Sequence, residues 1–365
     1  MTKCGFERGK STPFLFYHKG RNIRVVIHGD DFTILGKEEQ LDWFRKEITK
    51  VFEVTFRGRL GPARGDLKNI KLLNRVIQWE EKGIIYEADQ RHADMVVKMV
   101  GLTKESKPLS TPGEKQEPED MSELLSPKEA TNYRAIVARA NYLAQDRSDI
   151  MFSVKELTRS MSNPTEGSWH GLKRLGRYLL STRRVALVLE YQGEYKHVDV
   201  WTDSDWAGDR KERKSTSGGV IRLGSHSVKL WSSTQRTIAL SSGEAEYIAL
   251  VKGASIGLGI VSMLKDFNIP VDNRIHIGTD STAAKGIACR RGLGKIRHLD
   301  VSKLWIQDKV LTGEIIVKKV PGEVNISDGL TKYLDSNKLL FHLSSTGQVV
   351  MQGRHTLMPC ITTDQ

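Results

Sequence analysis

Residues 197–224, HVDVWTDSDWAGDRKERKSTSGGVIRLG, hold two β-rich segments joined by a polar, basic turn. A third segment, HSVKLWSS at 226–233, follows another short turn, and this succession predicts three consecutive antiparallel strands. A long helix is expected over about 241–267, and further strands are expected at 274–280 and 314–320. Three meandering strands followed by alternating helices and strands predict an α/β domain, built on a five-stranded mixed sheet with helices packed on it.

The rest of the chain divides into further regions by composition and periodicity. The stretch IRVVIHGDDFTIL at 23–35 predicts a β-hairpin in an α+β region, and a helix is expected from about Lys37. Four of the ten prolines fall within 105–128, which predicts a linker because proline removes backbone donors. Three apolar-striped helices are expected within 130–182, and a last helix from Asn325. The predicted organisation is an N-terminal region at 1–104, the linker at 105–128, a helical region at 129–190, the five-stranded domain at 191–340 and an irregular tail at 341–365.

The composition limits the class of protein. The chain has 365 residues, of which 39% are hydrophobic and 27% charged, so it can bury ordinary cores and is not wholly disordered. No uninterrupted apolar stretch reaches roughly 18 residues, so we expect no membrane-spanning helix and no membrane partner. The three cysteines lie far apart, so neither a disulfide framework nor a structural zinc site is expected, and a reducing compartment fits. The formal net charge of +12 favours polyanionic partners.

Four acidic residues stand at successive element boundaries of the predicted domain. Asp203 ends the first strand and Asp280 ends the fourth; Glu244 opens the long helix and Asp328 opens the last one. Capping or turn formation explains each acid alone, and Ser241-x-x-Glu244 fits a capping box. Strand ends and helix starts face the same rim of such a sheet, however, so the four side chains are expected to converge. Converging carboxylates repel one another unless a cation binds, and Mg²⁺ suits an all-oxygen site.

The motifs of this domain resemble those of a known family. Residues 197–335 are similar to the ribonuclease H domain that ends the Pol polyproteins of copia-type retrotransposons. The matching motifs, in order, are TDSDWAGDRKERKSTSG, ALSSGEAEYIAL, TDSTAA, KIRHLDVSKLWIQDKV and VPGEVNISDGLTK. The resemblance implies a ribonuclease H-like fold. It also implies that the catalytic and metal-binding residues are Asp203, Glu244, Asp280 and Asp328.

The upstream part resembles the end of the reverse transcriptase of the same polyprotein, namely part of its palm and its connection region. GFERGKSTPFLF precedes VVIHGDDF, and KPLSTPG, YRAIVARANYLAQDRSDIMFSV and HGLKRLGRYLLST follow. Asp30 and Asp31 resemble the paired metal-binding acids of the palm, although His28 and Gly29 replace the family's usual Tyr-Val. In that family, the third metal-binding aspartate and the nucleotide-binding fingers lie far upstream of this hairpin. Fewer than thirty residues precede it here, so we do not expect this chain alone to polymerise DNA.

Two of the four acids have close alternatives. Asp203 and Asp205 lie on the same face of a strand, and the resemblance favours Asp203, because one small residue follows the metal-binding acid of the family. Glu244 and Glu246 lie about 200° apart on a helix, so only one of them can face the site. The resemblance favours Glu244, whereas the apolar stripe of this helix runs closer to Glu246. We predict Asp203 and Glu244, with Asp205 and Glu246 as the alternatives.

The resemblance also implies an activity and its partners. The expected enzyme hydrolyses the RNA strand of RNA–DNA hybrids with two Mg²⁺ ions, or with Mn²⁺ in their place. Its expected partners are the hybrid and the upstream part of the polyprotein, and its expected location is a cytoplasmic retrotransposon particle. Phosphate contacts are expected from two basic segments, which contain Arg210, Lys211, Arg213 and Lys214 in the first and Arg290 and Arg291 in the second. The alternative is a relic that binds nucleic acid without cutting it.

Overall fold

The computed structural model describes residues 1–115 and 122–361, in which helices pack against three β-sheets. The N-terminal sheet has the strand order β1-β2-β3-β4, with every pair antiparallel. Its elements are β1 (Glu7–Arg8), β2 (Leu15–His18), β3 (Ile23–His28), β4 (Asp31–Leu35) and the following helix α1 (Glu38–Thr49). The predicted hairpin is confirmed, because His28 pairs with Asp31 across a turn in which Gly29 has a φ of 58°.

A second sheet joins strands that lie far apart in the sequence. The elements after α1 are β5 (Asn69–Leu72), β6 (Arg75–Glu80), β7 (Gly83–Glu87), α2 (Gln90–Met99), α3 (Pro127–Ala144), α4 (Ser148–Arg159), α5 (Glu166–Ser181) and β8 (Arg184–Glu190). Strands β5, β6 and β7 pair in sequence order, and β7 pairs with β8. Helix α2 shares one apolar core with α3, α4 and α5. Residues 69–99 therefore pack with the helical region, although the sequence analysis assigns them to the N-terminal region.

The predicted five-stranded domain is present. Its elements are β9 (Val198–Asp205), β10 (Thr216–Leu223), β11 (His226–Thr234), α6 (Ser242–Asp266), β12 (Ile275–Thr279), α7 (Thr282–Ala288), α8 (Trp305–Leu311) and β13 (Ile315–Lys319). The strand order is β11-β10-β9-β12-β13; β10 is antiparallel to both neighbours, and β12 is parallel to β9 and to β13. This arrangement confirms the predicted α/β class and the mixed sheet.

Helix α6 lies close to the central strand of this sheet. A Cβ atom at Gly253 would lie 2.5 Å from Cγ2 of Thr202, and one at Gly257 would lie 2.8 Å from Cγ2 of Val200. The two glycines therefore let the helix approach β9 more closely than larger residues would allow. We expected no membrane-spanning helix, and α6 is long and apolar enough for one by length and composition. A core helix meets the same criteria, and α6 contributes to the core of this domain.

The C-terminal part differs from the expectation in two ways. In place of one helix from Asn325, the chain forms two short 3₁₀ turns, at Gly322–Val324 and Asp328–Leu330. The segment expected as an irregular tail contains the second half of helix α9 (Ser336–Ser345) and all of strand β14 (Gln348–Met351), which pairs with β8. The side-chain oxygen of Gln348 accepts hydrogen bonds from the backbone and hydroxyl of Ser148, which tie this strand to α4. Residues 116–121 of the expected linker and residues 362–365 of the expected tail lie outside the described residues.

A buried ion pair holds the turn between α3 and α4. Arg147 donates from Nε and Nη2 to the two carboxylate oxygens of Asp149, at 2.8 and 2.6 Å, and both side chains are almost fully buried. The hydroxyl of Tyr178 on α5 also donates to Asp149, at 2.8 Å. A single carboxylate therefore neutralises a buried guanidinium and links two elements of the helical region.

We predict that Asp149→Asn destabilises the protein by about 3–5 kcal/mol, because it leaves the charge of Arg147 buried without a counter-ion. The measurement is equilibrium unfolding in denaturant. Asp272→Asn is a matched control, since Asp272 forms an ion pair of the same sequence spacing with Arg274 at the surface. The control should change the stability little, and equal losses for both variants would contradict the prediction.

Candidate active site

Three carboxylates meet at the rim of the five-stranded sheet. Asp203 lies near the end of β9, Glu246 lies on the second turn of α6, and Asp280 follows β12 directly. One oxygen of each carboxylate lies within 4.8 Å of the others. The parallel strands β9 and β12 end at the same edge, and α6 begins there, so the topology alone places these residues together.

The electrostatics of this group disfavour its fully ionised form. Burial raises the pKa of Asp203, and the negative charges of Asp328 and Asp280 raise it further. Burial also raises the pKa of Glu246, together with the charges of Asp203 and Asp280. Each carboxylate therefore resists ionisation of its neighbours, which is the arrangement that a bound cation relieves.

Hydrogen bonds orient the carboxylates but leave some of their oxygens available. The hydroxyl of Thr331 donates to Oδ2 of Asp203, and the backbone N–H of Ser204 donates to Oε1 of Glu246 at 3.3 Å. Among the described residues, buried Oε2 of Glu246 and buried Oδ1 of Asp328 have no hydrogen-bond partner. Buried oxygens of this kind are normally satisfied, so the group is compatible with a metal ion.

Asp328 stands beside the group of three and carries its own counter-ion. Nζ of Lys332 lies 2.7 Å from Oδ2 of Asp328. Burial lowers the pKa of Lys332, but the hydrogen bond that it donates to Asp328 and the charges of Asp203, Asp328 and Asp280 raise it overall. The sequence analysis missed Lys332 and Thr331, although both stand in the quoted motif that contains Asp328. Their signal is their position, three and four residues after that acid.

The structure corrects the choice of Glu244. Its Oε2 accepts from the backbone N–H of Leu240 at 2.8 Å and lies 2.9 Å from Nε2 of His298, while its own N–H donates to Ser241. Glu244 thus caps the start of α6, and Glu246 is the residue of this helix that enters the carboxylate group. The physical reason is the orientation of α6, whose apolar face must pack on the sheet. The apolar stripe is the signal that indicates Glu246.

Asp205, the alternative to Asp203, lies outside the carboxylate group. Asp205 accepts hydrogen bonds from the backbone N–H and the hydroxyl of Thr216 on β10, so its carboxylate is turned toward that strand. Asp203 is the member of this pair that the structure places with Glu246 and Asp280. Of the four predicted acids, Asp203 and Asp280 therefore belong to the central group and Asp328 lies beside it, whereas Glu244 is a capping residue.

The remaining predicted site residues lie elsewhere. Asp30 is exposed in the N-terminal hairpin, and Asp31 forms an ion pair with Arg57 at 3.1 Å. Neither aspartate belongs to a metal-compatible group in the part of the chain that the structure describes. The first basic segment occupies the loop between β9 and β10, with Arg210, Lys211 and Arg213 exposed and Lys214 half-buried beside Glu212. In the second, Arg291 is exposed, and Arg290 donates to a backbone carbonyl of its own loop.

Comparisons with known proteins extend this description. No model of a protein family matches the chain. The retrovirus-related Pol polyprotein from transposon RE2 of Arabidopsis thaliana is 30% identical over 341 residues, which make up 92% of this chain and 22% of that protein. The secreted RxLR effector protein 161 of Plasmopara viticola is 41% identical over 119 residues, which make up 32% of this chain and 83% of that protein. Among solved structures, LC11-RNase H1 in complex with an RNA/DNA hybrid has 17% identity and a TM-score of 0.26, over 37% of this chain and 93% of that one. A TM-score this low does not establish a structural relationship.

The fold and the site define an α/β domain whose sheet rim holds carboxylates compatible with a metal ion. Over 92% of its length the chain is similar to polyproteins of transposons. These relatives are retrovirus-related Pol polyproteins, as the sequence motifs predict. The chain spans less than a quarter of the length of these curated relatives.

Without divalent cations, the protein should lose stability as the pH rises from about 4.3, the ordinary pKa of a glutamate, toward the higher pKa of Glu246 in the folded state. Such a group stabilises the fold only while it is protonated. Glu246→Gln removes the contribution of Glu246 to this dependence, so at pH 8 it should raise the unfolding temperature by about 2–4 °C for each kcal/mol of destabilisation removed. The measurement is thermal unfolding between pH 5 and 9 in the presence of a chelator.

Glu244→Gln is the matched control for this experiment. Glu244 accepts a backbone hydrogen bond at the start of α6, so its replacement should lower the unfolding temperature or leave it unchanged. A stability profile of the wild type that does not fall with pH, or a rise in stability for Glu244→Gln alone, would contradict the assignment.

Proposed function

We propose that this domain is a metal-dependent endonuclease that hydrolyses the RNA strand of RNA–DNA hybrids. The observation that carries the proposal is the meeting of Asp203, Glu246 and Asp280 at one sheet rim, with an unpartnered buried oxygen on Glu246. The similarity of the chain to Pol polyproteins over 92% of its length supports a nucleic-acid substrate. The net charge of +12 supports the same class of substrate.

The donor set fits Mg²⁺, because all its atoms are carboxylate oxygens. Asp203, Glu246 and Asp280 would hold the metal, with Asp328 beside them. When bound, the metal supplies a lowered pKa for an attacking water and neutralisation of the charge that develops on the scissile phosphate.

The chain itself supplies orientation and charge. Thr331 holds one oxygen of Asp203, and the N–H of Ser204 holds one oxygen of Glu246, so both carboxylates keep a fixed direction. Lys332 places a positive charge beside Asp328 at the same rim, where it partly compensates the acidic group. These contacts pre-organise the site before substrate binds.

We also propose that the N-terminal region does not polymerise DNA alone. In the described residues, Asp30 and Asp31 stand in a hairpin without a third acid in reach of both. Two-metal nucleotidyl transfer requires more ligands than this pair supplies. Primer extension by the purified chain would overturn this part of the proposal.

Glu246→Gln and Asp280→Asn should each reduce hybrid cleavage by roughly 100-fold or more, which corresponds to about 2.7 kcal/mol of transition-state stabilisation. Both changes remove a charged oxygen ligand and keep the shape of the side chain. The measurement is cleavage of a labelled RNA–DNA hybrid in Mg²⁺ and in Mn²⁺, with hybrid affinity measured in parallel.

Glu244→Gln is again the control, because it alters a carboxylate of the same helix outside the metal-compatible group. It should retain most of the activity. A wild-type protein that binds the hybrid but leaves it intact in both metals would refute the proposal and favour a nucleic-acid-binding relic. Loss of activity in Glu244→Gln with full activity in Glu246→Gln would refute the assignment of the site.

The loop between β9 and β10 should contact phosphates near the site, because it follows the strand that carries Asp203. Replacing Lys211, Arg213 and Lys214 by alanine should weaken binding for any hybrid sequence. Each lost phosphate contact reduces the slope of log affinity against log salt by about 0.7–0.9, so two or three contacts should flatten it by about two units. The measurement is hybrid affinity as a function of salt concentration.

A control triple variant replaces three lysines that are exposed elsewhere, Lys71, Lys82 and Lys98. It changes the net charge by the same amount without altering the loop, so its slope should stay close to that of the wild type. Equal slopes for the loop variant and the wild type would mean that the loop makes no phosphate contacts.

A further inference from the structure

A second group of potential ligands lies at the other end of β9 and β12, away from the carboxylate rim. It consists of His197, just before β9, Asp199 on β9 and His276 on β12. Asp199 and His276 are paired in register on the two parallel strands. One ligand atom of each residue lies within 4.8 Å of the others, and all three side chains are partly exposed.

We propose that His197, Asp199 and His276 bind a divalent transition-metal ion, and that Zn²⁺ suits the site. Two imidazole nitrogens and one carboxylate oxygen form a donor set of the kind that binds zinc, with the fourth position open to water. Mg²⁺ prefers oxygen ligands, so the two ends of the strands differ in the metals that they favour. The sequence analysis expected no structural zinc site because it considered only cysteines.

Two of the three distances between ligand atoms are near those of tetrahedral coordination. Ligand atoms about 2.0–2.1 Å from zinc at the tetrahedral angle lie about 3.3 Å from one another. Nε2 of His197 lies 3.3 Å from Oδ1 of Asp199, and Nδ1 of His276 lies 3.8 Å from the same oxygen. A shift of roughly 0.5 Å of the His276 ring would bring the second pair to the same spacing.

The two imidazole rings lie close together. Their centroids lie 3.7 Å apart, so two protonated rings would repel each other strongly. Burial lowers the pKa of His276, and the neighbouring His197 and Lys318 lower it further. A neutral imidazole has a free lone pair, which is what a metal requires.

A lysine competes for the site. Nζ of Lys318 on β13 lies 3.2 Å from Nδ1 of His276, the atom that a metal would take. In this contact the ammonium group donates to the lone pair that a metal would need. Two further cations face the group, Arg222 from the register position opposite Asp199 on β10, and Arg274 two residues before His276. Metal binding must displace Lys318, whose flexible side chain can turn toward solvent.

A metal ion bound by these three residues would link the start of β9 to the start of β12. These are the strands whose opposite ends carry Asp203 and Asp280. Because the ion binds only the folded arrangement, it should also raise the unfolding temperature, by an amount that grows with the logarithm of its concentration above the dissociation constant. The proposal therefore assigns the site a stabilising role that is separate from hydrolysis.

The test is a titration of the metal-free full chain with Co²⁺, a spectroscopic substitute for Zn²⁺, in excess Mg²⁺ that saturates the carboxylate rim. The wild type should show the visible absorption of tetrahedral cobalt with one equivalent bound, and Zn²⁺ should abolish it. His197→Gln and His276→Gln should each weaken Co²⁺ binding at least 10-fold. Lys318→Met should tighten it several-fold, because it removes the competing ammonium group.

His226→Gln is the matched control, since His226 lies in the same sheet and bonds instead to Gln192 and a backbone carbonyl. It should bind Co²⁺ like the wild type. The gain of affinity in Lys318→Met cannot arise from misfolding, which keeps the proposal falsifiable if the histidine variants are unstable. Absence of the tetrahedral band, its persistence in the double histidine variant, a cysteine–cobalt charge-transfer band in its place, or unchanged affinity in Lys318→Met would overturn the proposal.

Discussion

Repulsion between buried carboxylates at one sheet rim is the constraint on which the rest of this domain depends. Asp203, Glu246 and Asp280 lie close enough to share one ion, in a place where burial already disfavours the charged forms of Asp203 and Glu246. Holding them there requires a rigid scaffold, because a flexible element would let its carboxylate move into water. Two parallel strands and a long helix supply that scaffold, and two glycines of α6 bring the helix against β9.

Much of this scaffold could be predicted from the sequence, because it depends on local patterns. Alternating apolar residues and polar turns define β9, β10 and β11, and the strand ends fix Asp203 and Asp280. The choice between Glu244 and Glu246 is different, because it depends on the rotation of α6 about its axis. That rotation is set by packing on the sheet, whereas Ser241, three residues before Glu244, gives a strong local signal for capping at Glu244. The apolar stripe of α6 marks the face that packs on the sheet, and it therefore indicates Glu246.

The C-terminal segment, in contrast, could not be predicted from local sequence patterns. Strand β14 has four residues, too few for alternation to be distinctive, and its partner β8 lies more than 150 residues earlier. Its order depends on contacts that no local pattern reveals, such as the side chain of Gln348 against Ser148 and the backbone carbonyl of Asp146. The same holds for β5, β6 and β7, which extend the sheet through β8 and not through the neighbouring N-terminal hairpin.

The side chains at the two ends of β9 differ in burial, because the helical region covers only part of one face of the sheet. On the face opposite α6, Met151 of α4 packs with Val220, Ile326 and Leu330, and the 3₁₀ turn that contains Leu330 brings Asp328 to the rim. This cover is reinforced by polar contacts, since Lys155 of α4 bonds to the hydroxyl of Thr216 on β10. The carboxylate rim is therefore supported by the helical region as well as by its own sheet. Toward the start of β9 this packing ends, and polar side chains such as Asp199 and His276 occupy the same face, partly open to water. The partial cover thus explains why one end of the strand pair is buried enough to raise carboxylate pKa values, while the other keeps nitrogen and oxygen ligands accessible.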